Sequence, residues 1–355
     1  MLDCIKRTVP AAQNLFDKAQ SNTDELVLAL GERINHLSEI NIISSGSSHN
    51  AALTASLFME KVSGLQVHSY VPNDFKRKSV LPKDALYIFV SQSGTSTLLE
   101  KTLRELMDKG CFTVAVTDFE DSPISTAAST NVPLLVGNEE FGYRTVGFCC
   151  SIIVLQLIAM RIGLETGKIS TSEYNDYIED GRKAIKNHPQ VVEKTLSWFE
   201  KYGDRLKESN SVIYYGSDSL FGIAVEGALK LLETAKLYLS IGYEAEDGLH
   251  GPNLGFNEGD TVIALCDGID DVDYAQSVVR FGKAELGQAY MFGAAPLDED
   301  DLQFEIVSND FKAIEFAPAV EIIAYQLAVI NDIPVEPTAT RTPHPSAKYF
   351  QMHSK

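Results

Sequence analysis

The chain has 355 residues, enough for two domains, and its 45% hydrophobic and 22% charged side chains are the balance of a soluble globular protein. A net charge of −19 argues against nucleic acid as a partner, because the phosphate backbone would be repelled over most of the surface. A small phosphorylated metabolite stays open, since a few aligned N–H groups outweigh a distant, screened field.

Residues 1–34 read as a helical lead-in. The start, Met1 to Arg7, has no apolar stretch after its charges, so no signal peptide is expected and a cytoplasmic location is. Residues 35–168 read as a first α/β domain. Strands are expected at 39–44, 66–71, 86–91, 112–117 and 132–136, with helices between them and a long helix at 146–164. The apolar run from Val146 to Met160 contains Gln156 and is shorter than the ~20 residues that span a bilayer, so it reads as a central buried helix rather than a membrane segment. Residues 169–208 read as a polar helical connector.

The pattern then restarts over 209–340. Val212 to Tyr215 leads into Gly216-Ser217-Asp218-Ser219 and a helix from about 222. Further strands are expected at 261–266, 287–291, 302–307 and 313–316, with helices near 272–286 and 318–331. A tail, 341–355, follows. Alternating strands and helices predict an α/β fold of two tandem domains, each a mostly parallel sheet flanked by helices. Gly46 and Gly216 lie 216 − 46 = 170 residues apart at matching points, which suggests a duplicated domain. In that register Asp218 stands where the first copy has Ser48. A carboxylate repels phosphate, so the second copy is expected to have lost anion binding.

Two loops carry the chemistry of the first domain. Ser91-Gln92-Ser93-Gly94-Thr95-Ser96 follows an apolar strand and precedes an amphipathic helix; Ser44-Ser45-Gly46-Ser47-Ser48 does the same after Ile40 to Ile43. This order sets free N–H groups and short hydroxyl donors at helix N-termini, where the dipole favours an anion. Neither loop holds a lysine and no GxxxxGK[ST] pattern occurs, so these are not nucleotide P-loops. A serine-rich turn with a helix cap would look similar; the pairing of two such loops is what favours phosphate.

In the second domain Glu226, Lys230 and Glu233 fall at i, i+4 and i+7, on one helix face. Glu226 with Lys230 reads as an ion pair on a solvated face. Glu233 sits in a more apolar run, where partial burial would suit a general base. His250 precedes Gly251-Pro252 in a turn that would expose its ring. The five cysteines, Cys4, Cys111, Cys149, Cys150 and Cys266, form no CxxC and read as buried thiols, with Cys149-Cys150 as core packing. No metal-ligand spacing occurs among the seven histidines, so neither a metal nor a cofactor is expected.

Together, Ser45-Gly46-Ser47-Ser48, Ser91-Gln92-Ser93-Gly94-Thr95-Ser96, Gly137-Asn138-Glu139 through Phe148, Glu226-Gly227-Ala228-Leu229-Lys230-Leu231-Leu232-Glu233, His250-Gly251-Pro252 and Ser346-Ala347-Lys348 resemble the double SIS (sugar isomerase) family. The likeness is to the isomerase half of glucosamine-6-phosphate synthases and to fructosamine-6-phosphate deglycases, over roughly residues 30–350. It implies two tandem SIS domains and a sugar phosphate held by Gly46, Ser47, Ser48, Ser91, Gln92, Ser93, Gly94 and Ser96, with Lys230 nearby. It implies Glu233 as the proton shuttle between C1 and C2, His250 as the ring-opening group lent by a partner subunit, and Lys348 as a Schiff-base lysine. A homodimer or larger homo-oligomer is implied as well. The chain departs from the synthase pattern in lacking a recognisable glutaminase segment and in carrying Thr145-Val146 where a threonine–lysine pair is usual. Arg144 beside it could receive a carboxylate or phosphate. The expectation is a deglycase that releases sugar 6-phosphate and an amine. The same residues would serve an isomerase or an amino-sugar-phosphate deaminase, and a non-catalytic sensor is the alternative of another class.

Overall fold

Short apolar runs that each end in a turn and feed an amphipathic stretch fold as strand–loop–helix units, and a series of them closes a parallel sheet covered on both faces. The computed structural model describes residues 1–335, 349 and 352. It divides into an N-terminal unit built on Pro10–Glu139, Val146–Glu179 and the described tail residues Tyr349 and Met352, and a C-terminal unit built on Met1–Val9, Glu140–Thr145 and the described residues from Asp180 to Val335.

The elements in chain order begin with α1 (Leu2–Asp17) and α2 (Asp24–Leu30). The first sheet and its helices follow: β1 (Glu39–Ser44), α3 (Ser47–Ser63), β2 (Gln66–Tyr70), α4 (Pro72–Phe75), β3 (Leu86–Val90), α5 (Thr97–Asp108), β4 (Thr113–Thr117), α6 (Pro123–Ala127), β5 (Thr130–Pro133) and α7 (Val146–Glu165). Helix α8 (Thr171–Lys207) leads to β6 (Ser211–Gly216), α9 (Ser219–Thr234), β7 (Leu239–Glu244), α10 (Ala245–Leu249), β8 (Asp260–Cys266), α11 (Val272–Phe281), β9 (Gln288–Gly293), β10 (Leu302–Gln303) and α12 (Lys312–Ile330).

The first sheet has the order β2-β1-β3-β4-β5 with every pair parallel. The second repeats it as β7-β6-β8-β9-β10, again all parallel. In each, the chain runs outward from the first strand and then crosses to its other side. A topological switch point therefore lies between β1 and β3, and another between β6 and β8, which is where open α/β sheets take ligands. One face of the first sheet packs Ile43, Tyr87, Phe89 and Ala115 against Leu99 and Leu103 of α5. On the other face α3 and α7 approach so closely that a Cβ at Gly163 would lie 2.2 Å from the Val62 carbonyl oxygen. Helices α9 and α12 repeat this in the second unit, where a Cβ at Gly227 would lie 2.9 Å from the Val320 Cβ.

Several expectations are corrected. The stretch 313–316 is the first turn of α12, not a strand. A short apolar run reads the same in a buried strand and a helix buried all round, and Pro318, a favoured first helical residue, lies inside this helix instead. Strand β7 was not foreseen, because Gly242 reads as a breaker; here a Cβ on it would come 2.5 Å from the Ala224 and Val225 backbone, so close contact with α9 requires glycine. The strand expected at 302–307 is only two residues long, β5 lies at 130–133 rather than 132–136, and α9 starts at Ser219 rather than 222.

The duplication register also shifts. Gly46 and Asp218 both precede their helices, with φ/ψ of 59°/−137° and 53°/−132°. The matching offset is therefore 218 − 46 = 172 residues, and Asp218 corresponds to Gly46, not to Ser48. Helices α7 and α12 are long and apolar enough to cross a membrane, but 94% and 78% of their most apolar windows are buried within the protein. All five cysteines are buried thiols.

Candidate functional site

Strands β1 and β3 are paired neighbours, with Ser44 opposite Val90, so both hydroxyl loops leave the same sheet edge at the switch point. Gly46 takes its positive φ where a β-carbon would strain the turn. Ser47 and Ser48 then form the half-buried first turn of α3, whose N-terminus has no side-chain cap and no acidic residue. Burial pushes the adjacent His49 imidazole below its usual 6.5, so it is neutral at pH 7, and its Nδ1 is buried with no hydrogen-bond partner among the described residues.

The second loop is held from several sides. The Ser91 N–H donates to the Val116 carbonyl (3.0 Å), and the Gln92 carbonyl accepts from the Asp118 N–H (3.2 Å) and the Thr117 hydroxyl (3.1 Å). Gly94 has φ +63°, and a Cβ there would lie 2.0 Å from Ser122 Oγ, so only glycine fits. The Ser93 and Thr95 hydroxyls lie 2.9 Å apart, and Ser96 stands at the N-cap of α5 without bonding the helix through its side chain. The Thr97 N–H donates to the Met352 carbonyl (3.1 Å), which brings that part of the tail to the same helix start.

Glu139 organises this loop, and the sequence reading assigned it no role. It is buried, and its carboxylate accepts from the Val146 and Gly147 N–H groups at 3.2 and 3.3 Å, at the start of α7. It also accepts from Gln92 Nε2 at 3.3 Å. That contact turns Gln92 Oε1 the other way, where it is buried against Gly147 with no hydrogen-bond partner among the described residues. A Cβ at Gly147 would sit 1.9 Å from Oε1, so glycine is what admits the Gln92 side chain. The signal in the sequence was a carboxylate a few residues before a long apolar helix.

In the C-terminal unit, Glu226, Lys230 and Glu233 share one face of α9, but the solvated-face reading of Glu226 with Lys230 fails: both side chains are fully buried. The face is covered because α9 packs on α12. Lys230 Nζ lies 3.5 Å from Glu226 Oε1 and 2.5 Å from Glu233 Oε2. Burial alone would push the ammonium down, but Glu226, Glu233 and then Glu321 of α12 hold it above the ordinary lysine range. Glu321, a charged residue inside an otherwise apolar helix, was also missed. Glu233 is the member that reaches solvent, with its side chain 32% exposed. Lys230 thus fixes one carboxylate oxygen of Glu233 while the residue stays accessible.

His250 caps α10 with its side chain 73% exposed, and its Nε2 lies 2.6 Å from Glu246 Oε1 rather than on the α9 set. Arg144 is half-buried in Glu140–Thr145, a segment that groups with the C-terminal unit. Lys348 lies outside the described residues. The second sheet's switch point differs from the first. Its cavity is lined by Asp218, Asp267, Asp270, Asp271 and Lys312, and Lys312 Nζ lies 2.5 Å from Asp267 and 3.2 Å from Asp218.

The model of the SIS domain family matches residues 34–162. This stretch is a SIS domain. It holds both hydroxyl loops and the first parallel sheet. Over 313 residues the chain is 28% identical to a glutamine–fructose-6-phosphate aminotransferase (isomerizing) of Bradyrhizobium diazoefficiens, covering 85% of this chain and 50% of that protein. The chain thus spans about half the length of the curated relatives it matches. Among solved structures, a Clostridium difficile 630 protein described as a candidate phosphosugar isomerase shares the fold with a TM-score of 0.89 at 22% identity, over 99% of both chains. The C-terminal domain of a Francisella tularensis glucosamine-fructose-6-phosphate aminotransferase does so with a TM-score of 0.85 at 18% identity, over 95% of this chain and 97% of that one. The second sheet repeats the strand order of the SIS domain's sheet.

Proposed function

We propose that the chain is a phosphosugar-processing enzyme, and specifically a deglycase acting on the 6-phosphate of a sugar–amino-acid adduct. The observation that carries this is the accessible carboxylate of Glu233, clamped by a buried ammonium, in a chain whose SIS domain offers two hydroxyl-lined helix starts at one switch point. Ser47, Ser48, Ser91, Ser93 and Ser96 would hold the phosphate, with Gly46 letting the backbone approach it. For a ketosamine, Glu233 takes a proton from C1 as the C2 carbonyl oxygen is protonated, giving an enaminol. Returning a proton to C2 leaves an imine between C1 and nitrogen. Water adds to C1, the C1–N bond breaks, and sugar 6-phosphate and free amine leave. His250, on the surface and paired with Glu246, suits proton transfer to the ring oxygen of a substrate bound by a second copy of the chain, which makes a homo-oligomer part of the proposal.

An aldose–ketose isomerase or amino-sugar-phosphate deaminase is the second reading. The relatives' names favour it, and the same 1,2-proton transfer serves it. The test is phosphorus NMR with amine detection on amino-acid ketosamine and aldosamine 6-phosphates, fructose 6-phosphate and glucosamine 6-phosphate. Release of amino acid with sugar 6-phosphate supports the deglycase. Turnover of the free sugar or amino-sugar phosphates alone makes it an isomerase or deaminase. Binding without turnover makes it a sensor.

A further inference from the structure

Helix α9 ends just after Glu233, and the N–H groups of Ala235 and Lys236 both close onto the Leu231 carbonyl, at 3.0 and 3.2 Å. The chain leaves through Lys236 with φ +61°. The left-handed residue after a helix is ordinarily glycine, because any β-carbon there is strained. Lys236 is exposed, so burial of its side chain does not offset that strain. Its ammonium instead lies 5.7 Å from the centre of the Tyr143 ring. Tyr143 is set edge-on against the fully buried Phe141 (5.4 Å, 83°), which fixes the ring. Arg144 follows directly, in the segment that groups with the same unit as α9. One cation therefore lies over a fixed aromatic ring three residues along from the accessible Glu233, and a second, Arg144, is the ring's neighbour in sequence, in a chain of net charge −19.

We propose that Lys236, steadied by Tyr143, and Arg144 bind a carboxylate on the amine half of the substrate, so that adducts of amino acids are selected over adducts of neutral amines. This rests on the deglycase reading. The carboxylate of an α-amino acid is one carbon from its nitrogen, so a cation that grips it also positions the C1–N bond that is to break. A strained lysine is retained where glycine would be easier because its charge is used on substrate.

The test compares Lys236→Gly and Arg144→Gln with the unaltered full chain on two ketosamine 6-phosphates, one made from an α-amino acid and one from its decarboxylated amine. Lys236→Gly removes the strain, so its melting temperature is expected to hold or rise. Its kcat/KM for the carboxylated adduct is expected to fall at least about tenfold, the worth of a lost charge-assisted hydrogen bond, with little change on the decarboxylated one. Arg144→Gln is expected to show the same selectivity. Equal loss on both adducts, or no loss on either, overturns the carboxylate assignment while the deglycase reading stands. Absence of turnover of either adduct by the unaltered chain overturns both.

Discussion

Glu233 and Lys230 are three residues apart, yet substitutions at them separate chemistry from stability. Glu233 is partly in water and Glu226 still faces the ammonium, so Glu233→Gln, which exchanges one oxygen for an amide, costs the fold less than loss of the lysine does. If it carries the proton between C1 and C2, turnover falls by about 10²–10⁴ while phosphosugar binding is retained. Calorimetric binding beside a turnover assay checks this, and full activity in the variant removes Glu233 from the mechanism. Lys230→Met does the reverse first. It withdraws the cation from a fully buried site that also holds Glu226, and removing one member of a buried ion pair costs about 3–5 kcal/mol. Urea midpoints of the two variants should therefore differ widely, Lys230→Met being far the lower; similar midpoints would mean that the ammonium is not needed to pay for burying these acids. The i, i+4, i+7 spacing was enough to read the shared face from the sequence. Its burial was not, because the cover comes from α12, some ninety residues on, and no local pattern records it.

At the scale of elements, the segment between β10 and α12 is tied down by two carboxylates. Glu315, in the first turn of α12, accepts from the Val307 and Ser308 N–H groups and from Asn187 of α8. Asp180 of α8 accepts from the Ser308 hydroxyl (2.6 Å) and the Asp310 N–H (3.3 Å). Burial pushes Glu315 up to about 7, with Asp180 adding to the rise and the donated hydrogen bonds opposing it. A carboxyl raised above its unfolded 4.5 stabilises the fold fully below that pH, and the contribution is lost as pH rises to about 7. Stability should therefore decline over this window by on the order of 1–3 kcal/mol more than in Glu315→Gln, which has no proton to lose. Urea denaturation of both proteins from pH 5 to 8 checks it, and parallel curves would refute it. This clamp was invisible in the sequence for the reason that 313–316 reads as a strand: a short apolar run bearing one acid gives no period. The strand–loop–helix units of the SIS domain were legible because each joins an apolar run, a hydroxyl turn and a 3.6-residue pattern in one stretch of chain.

At the scale of the whole chain, two sheets of one topology present two switch points with opposite contents. The first is ringed by hydroxyls and uncapped helix starts. The second holds Lys312, which burial would push down but Asp267 and then Asp218 hold above the ordinary lysine range. Asp218 occupies the backbone conformation that Gly46 has in the first copy, one that disfavours a β-carbon. With the register set at 172 residues, the difference is specific: the carboxylate sits at the turn itself and partners an internal cation where the first copy has glycine. One phosphosugar per chain should bind, not two. Asp218→Ser combined with Asp267→Asn then becomes informative, because it strips Lys312 of both carboxylates it is paired with and leaves only the more distant Asp270 and Asp271 in the cavity, at a cost of about 3–5 kcal/mol. An anion that fills the vacated place returns part of that stability by mass action. The double variant should melt lower than the parent in phosphate-free buffer and recover with added phosphate more steeply than the parent does, with calorimetric stoichiometry rising toward two. A melting temperature that tracks the parent's phosphate dependence would show that the second switch point is closed by its packing and not by its charges.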